Sequence, residues 1–146
     1  MKQMLLAVAA SFVMFTAGAA DLTWLTSLPD AQAKAKADNK LVLMDFTGSD
    51  WCPPCKNLHK TVLESPEFAE YASKNLVLVE LDFPRRKAQS DELKSANKAL
   101  AAKYGIEGYP TIIVLSADGK ELYRKVGYGG TPAEEYITTL SKAVGK

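Results

Sequence analysis

The stretch Trp51-Cys52-Pro53-Pro54-Cys55 contains both cysteines of the chain, separated by two residues. It follows an apolar run of strand length at 41–46 and opens a segment, 52–63, whose composition is typical of a helix. The two prolines fall in the first turn of that helix, where a missing N–H costs nothing. We therefore expect both thiols where a buried strand passes into the N-terminus of a helix.

This placement favours thiol–disulfide exchange. The positive end of a helix dipole favours a thiolate at Cys52, and Cys55 is near enough to close and open a short disulfide ring. Two alternatives are a structural disulfide and half of a zinc site. So short a ring removes little entropy from the unfolded chain, and with one histidine the chain lacks a second pair of soft ligands. The pattern implies neither a metal nor a cofactor, because the electrons travel through sulfur.

The segments around the cysteine pair predict an α/β fold. Short apolar runs predict the strands, which are the lead-in at 22–28 and residues 41–46, 76–81, 111–116 and 121–126. Capped stretches predict the helices, which are 30–38, 52–74 with a restart at Ser65, 91–104, and 132–143 after a capping box at Thr131. The order β-α-β-α-β-α-β-β-α predicts a mixed central β-sheet flanked by helices on both faces, with the last two strands antiparallel across Asp118-Gly119.

Length and charge restrict the class of protein. The 146 residues suffice for one ordinary domain, and 47% hydrophobic with 24% charged residues is a globular composition. Lys and Arg total 18 against 17 Asp and Glu, so the chain lacks the basic excess of nucleic-acid binders. We expect a monomer with no nucleic-acid partner.

Residues 1–20 have the pattern of a secretory signal peptide. Lys2 precedes an apolar run that ends in small residues suited to a signal peptidase. An uncleaved membrane anchor is the alternative, but the run is short, alanine-rich and interrupted by polar residues. We expect cleavage near Ala19 or Ala20, which leaves a soluble domain of residues 21–146 in the periplasm or outside the cell.

The order of motifs along this chain resembles the order found in the thioredoxin superfamily. The resemblance is greatest to exported thioredoxin-like proteins with a WCPPC centre. The matching motifs are Leu43-Met44-Asp45-Phe46 before the centre, the centre at 51–56, the loop at 104–111, and Val126-Gly127. The resemblance extends from about Leu41 to the C-terminus and implies the thioredoxin fold.

The resemblance also implies roles for individual residues. Cys52 would be the exposed nucleophile that forms a mixed disulfide with substrate, Cys55 the buried resolving thiol, and Pro110 a cis-proline facing the disulfide. The implied substrate contacts are Trp51, Pro53, Pro54, Tyr109, Thr111 and Gly127.

Asp45 is the one acidic residue in its apolar run. A buried carboxylate has a raised pKa and can relay a proton to Cys55 during resolution, a role that the resemblance supports. The alternative is an acid hydrogen-bonded to the following loop. Glu80 stands about where thioredoxin often has a lysine, and we expect it to raise the pKa of Asp45 further. We interpret His59 as an ordinary half-exposed helical residue, with redox tuning as the alternative. We interpret Arg85-Arg86-Lys87 as a solvated loop, with partner recognition as the alternative.

The two prolines also predict the direction of electron flow. Because Pro53 and Pro54 have no N–H, two donors that would stabilise the Cys52 thiolate are missing, and a less stable reduced form is a better reductant. The resemblance implies a thiol–disulfide oxidoreductase that reduces disulfides in exported proteins and is itself reduced by a membrane-bound thiol reductant. The alternatives are an oxidase or isomerase of higher potential, and a non-enzymatic binding module with a static disulfide.

Overall fold

A computed structural model describes residues 21–146 as a five-stranded mixed sheet with helices on both faces. The strands are β1 (Trp24–Leu25), β2 (Leu41–Thr47), β3 (Leu76–Asp82), β4 (Thr111–Leu115) and β5 (Glu121–Val126). Their order in the sheet is β1-β3-β2-β4-β5, with β2 parallel to β3 and antiparallel to β4. The predicted α/β architecture is confirmed, whereas the predicted signal peptide lies outside the described residues.

The helices begin and end largely where the sequence predicts. They are α1 (Leu28–Asp38), α2 (Pro53–Leu58), α3 (Pro66–Asn75), α4 (Asp91–Tyr104) and α5 (Ala133–Val144). A π-helical turn, His59–Leu63, continues α2 toward α3. None of the helices within residues 21–146 combines the length and apolar character needed to cross a membrane.

Serine side chains cap three of these helices. The hydroxyls of Ser27, Ser65 and Ser90 each accept a backbone N–H from the first turn of α1, α3 and α4. The capping box predicted at Thr131 is wrong, because α5 begins at Ala133 and has no side-chain cap. Pro132 itself occupies the cap position with extended backbone, so Thr131 lies one residue too early to act as the cap.

The sheet separates two apolar layers, and the alternation along β2 assigns each of its side chains to one of them. Leu41 and Leu43 pack with side chains from α2, the π-helical turn, α3 and α5. Val42, Met44 and Phe46 pack on the opposite face with side chains from α1. The same alternation directs Asp45 toward the layer that holds α2, so its carboxylate lies beneath the helix that carries the cysteines.

Candidate active site

Cys52 and Cys55 form a disulfide at the start of α2, immediately after the turn that follows β2. Cys52 is the N-cap residue, and its sulfur accepts the backbone N–H of Cys55 at 3.3 Å. The two prolines between them have no N–H to donate. The first turn of α2 therefore directs one amide, that of Cys55, at the Cys52 sulfur.

Exposure distinguishes the two cysteines less than the resemblance implies. Cys52 is 3% exposed and Cys55 is 0% exposed, so Cys52 is not an exposed residue in the disulfide form. Its sulfur is bonded to Cys55 and accepts the Cys55 amide, and both contacts hold it against the helix. The small accessible surface that remains on the two cysteines nevertheless belongs to Cys52, and the next residue, Pro53, is exposed.

Trp51, the residue before the disulfide, is fixed on the protein surface. Its indole N–H donates to the carbonyl of Phe83 at 2.8 Å, and its ring meets the edge of Tyr109 with centroids 5.8 Å apart. A Cβ atom at Gly48 would lie 2.5 Å from the Trp51 ring. Glycine at position 48 therefore leaves the space that the tryptophan ring occupies.

Asp50 anchors the segment after β3 beside the redox centre. Its carboxylate accepts the backbone N–H groups of Arg85, Arg86 and Lys87 at distances of 2.7 to 3.0 Å. These hydrogen bonds, that of Arg85 foremost, lower the pKa of Asp50 to about 2. The Arg85 guanidinium lies 3.8 Å from the centroid of the Trp51 ring. The predicted solvated loop is thus exposed, but it is held in place against the active-site tryptophan.

The Pro110 loop lies on another side of Trp51. The Tyr109–Pro110 peptide bond is cis, as the resemblance implies. The Pro110 carbonyl accepts the N–H of Gly127 at 2.7 Å. This hydrogen bond joins the loop at 104–111 to the Val126-Gly127 motif. Tyr109, through its contact with Trp51, connects this loop to the residue that precedes Cys52.

Thr111 differs from the other predicted substrate contacts. It is completely buried, and its hydroxyl donates to the carbonyl of Gly108 at 2.7 Å. It is also a β4 residue paired with Phe46 and Val126 in the sheet. Both its side chain and its backbone are therefore engaged within the protein, and the substrate contact that the resemblance implies at Thr111 stays a prediction.

Asp45 is completely buried and lies against a partner that the sequence reasoning missed. One carboxylate oxygen is 2.7 Å from Nε2 of His59, and the other, Oδ1, has no hydrogen-bond partner among the described residues. His59 is therefore not an ordinary helical residue. The signal available in the sequence was a single histidine one helical turn after Cys55, on the helix predicted to follow the Asp45 strand.

The environment of this pair changes the pKa of both groups. Burial raises the pKa of Asp45, and the hydrogen bond with His59 offsets part of that rise. Burial alone would lower the pKa of His59, but the hydrogen bond to Asp45 and the negative charges of Asp45, Glu80 and Glu64 together outweigh it and raise that pKa above its usual value. Folding therefore strengthens proton binding by both groups.

Glu80 is the cross-strand partner of Asp45, and the like charges of the two carboxylates interact. Asp82 is a second acid on β3, and its charge raises the pKa of Asp45. The pKa of Glu80 is itself raised, chiefly by burial, with smaller contributions from the charges of Asp82 and Asp45. The acidic neighbourhood expected around Asp45 is present, but it is shared between two residues of β3.

A cleft of about 300 Å³ lies beside Cys55. Cys55 and His59 both line it, and the exposed Lys56 and Lys60 lie where it meets the surface. It is thus a route by which water approaches the buried half of the active site.

Comparison with known proteins agrees with this geometry. Residues 28–143 match the thioredoxin-like domain family. The disulfide bond reductase DsbH of Chlamydia pneumoniae is 35% identical over 126 residues, which cover 86% of this chain and 75% of that protein. The thioredoxin-related protein DsbJ of the same organism is 34% identical over 108 residues, covering 74% of this chain but 31% of DsbJ.

A solved structure of a DsbH oxidoreductase is similar over the whole fold. Its TM-score is 0.83 at 30% identity, and the superposition covers 95% of each chain. Both cysteines lie within the region that matches the family. Cys52 is at the N-terminus of α2, a position that favours a reactive thiolate. The chain belongs to the thioredoxin-like family, and it is a thiol–disulfide oxidoreductase.

Proposed function

We propose that the protein reduces disulfide bonds in exported proteins, with Cys52 as the attacking thiolate and Cys55 as the resolving thiol. The observation that carries the direction is the single first-turn amide directed at the Cys52 sulfur, at 3.3 Å. Fewer hydrogen-bond donors stabilise the thiolate less, which makes the reduced form less stable and more reducing. The name of the relative DsbH, a disulfide bond reductase, supports the same direction.

The proposed cycle balances two electrons. The Cys52 thiolate attacks the client disulfide, forms a mixed disulfide and releases one client thiolate. The Cys55 thiol then loses its proton to Asp45 and attacks the Cys52 sulfur, which releases the second client thiolate and closes the Cys52–Cys55 disulfide. A membrane-bound thiol reductant restores the dithiol.

The client chain is proposed to bind around the disulfide, where surface remains available. Cys52 keeps little exposure, so a client sulfur must approach along the small accessible edge of the disulfide. The groups around that edge are the exposed Pro53 and the partly buried Trp51, Pro54, Tyr109 and Gly127. Pro110 itself is buried, and its cis peptide bond joins it to Tyr109, so we place Pro110 beneath this surface.

Export follows from residues 1–20 and is likewise a proposal. The basic residue, the apolar run and the small residues before Asp21 support removal of a signal peptide. We expect the protein recovered from a periplasmic extract to begin at Ala20 or Asp21, as measured by intact mass and N-terminal sequencing. An intact Met1 in that fraction would contradict cleavage.

The reduction potential tests the direction of electron flow. For residues 21–146 equilibrated with glutathione or dithiothreitol buffers, we expect a potential near or below about −230 mV. Pro54→Ala restores an N–H in the first turn, so its potential should rise by roughly 30 mV, with the exposed Pro29→Ala as the matched control. A wild-type potential above about −180 mV would leave an oxidase or isomerase instead.

A further inference from the structure

The buried carboxylate of Asp45 needs a path by which a proton can reach solvent. Asp45 is completely buried, so no atom of it exchanges protons directly with bulk water. One of its oxygens lies 2.7 Å from Nε2 of His59, whose side chain is 23% exposed. His59 is therefore a polar group that touches Asp45 on one side and reaches accessible surface on the other.

The cleft described above brings this path to the cysteines. His59 lies one helical turn after Cys55, and both residues line the same cleft of about 300 Å³. The ring of Trp24 packs against the imidazole, with centroids 5.9 Å apart, and helps to fix its orientation. The remaining carboxylate oxygen, Oδ1 of Asp45, has no hydrogen-bond partner in the described chain and is free to accept a proton.

The charges around His59 come from several elements and include both acids and bases. The acids that act on His59 are Asp45 on β2, Glu80 on β3 and Glu64 after the π-helical turn, and the bases on the cleft wall are Lys56, Lys60 and Lys87. Asp82 on β3 acts on Asp45 and Glu80. Tyr136 on α5 lies close enough to feel the charge of Asp45 but is neutral at physiological pH. The acidic groups, with Asp45 foremost, favour the protonated imidazole and raise the pKa of His59.

We propose that His59 carries protons between Asp45 and the cleft while the mixed disulfide is resolved, a role that rests on the proposed function. The thiol of Cys55 gives its proton to Asp45, and its sulfur forms the new bond to Cys52. The client thiolate leaves with the electron pair of the broken sulfur–sulfur bond. His59 releases a proton to water in the cleft and then takes the proton of Asp45 across the 2.7 Å contact, which restores the starting state.

His59→Gln tests this role, because glutamine can hydrogen-bond to Asp45 but cannot carry a proton. Reduced protein is mixed with an oxidised peptide at pH 5 to 9, and formation and resolution of the mixed disulfide are timed separately by acid quench. We expect unchanged formation and resolution slowed about tenfold or more between pH 6 and 8. Added imidazole should restore part of the lost rate. Lys60→Arg, on the same cleft, keeps the positive charge near His59 and should keep the wild-type pH profile.

Several outcomes would overturn the proposal. One is a wild-type resolution rate and pH profile in His59→Gln. Another is a slower rate with unchanged pH dependence and no rescue by imidazole, which would give His59 a structural role. If His59→Gln does not fold, His59→Asn is measured in the same way. A wild-type protein that forms no mixed disulfide would contradict the proposed function itself, so the two failures are distinguishable.

Discussion

The Cys55→Ser variant is expected to remain covalently attached to its clients through Cys52. In the proposed cycle the Cys55 thiol breaks the mixed disulfide, and a serine hydroxyl cannot do so. The adducts should be visible on non-reducing gels as bands that disappear with dithiothreitol. Steady-state disulfide reduction should fall by about a thousandfold or more, since each turnover stops at the first step.

Cys52→Ser is the matched control, because it removes one sulfur from the same short ring. It should form no client adducts and show equally low turnover. Client adducts through Cys55 in this variant would reverse the assigned roles, which is a real test because both cysteines are buried in the disulfide form. Absence of adducts in both variants would favour a binding module with a static disulfide.

The Leu58→Ala variant is expected to lower the free energy of unfolding by about 2–5 kcal/mol. Leu58 is completely buried in the last turn of α2, in the layer that also contains Leu43 and Leu63. Its removal leaves a cavity under the helix that carries the cysteines, and rigid neighbours refill such a cavity poorly. Urea unfolding of the oxidised protein measures the change.

Lys56→Ala is the control for this measurement, because it alters the same helix at an exposed position. Its effect should stay within about 0.5 kcal/mol. A loss below about 1 kcal/mol for Leu58→Ala would mean that the layer closes around the smaller side chain. In that case α2 would be held mainly by its other contacts, and Leu58 would not be its principal anchor.

Much of the fold follows from local features of the chain. The apolar run at 41–46 predicts a central strand, and its period of two already places Asp45 on the face shared by Leu41 and Leu43. Two prolines directly after Cys52 predict a helix start at the cysteine pair, since both are accommodated in a first turn. These features depend on a few neighbouring residues, so the sequence alone determines them.

The wrong prediction of a capping box came from a helix start, where a difference of one residue decides which side chain caps the helix. At Thr131 the capping pattern was present, but the cap position fell on Pro132. Thr111, by contrast, was predicted as the first residue of a strand, and β4 does begin with it. A shift of one residue at a helix start changes which side chain can cap the helix, and propensities do not resolve such shifts.

Sequence by itself therefore determined the fold class, the position of the cysteine pair at a helix start, and the chemistry of two thiols. Tertiary structure alone decided that His59 contacts Asp45 and that Arg85 lies over Trp51. Each of these contacts joins different elements, and its distance depends on how the elements pack together. Local propensity contains no information about such packing, because it is set by side chains throughout the two apolar layers.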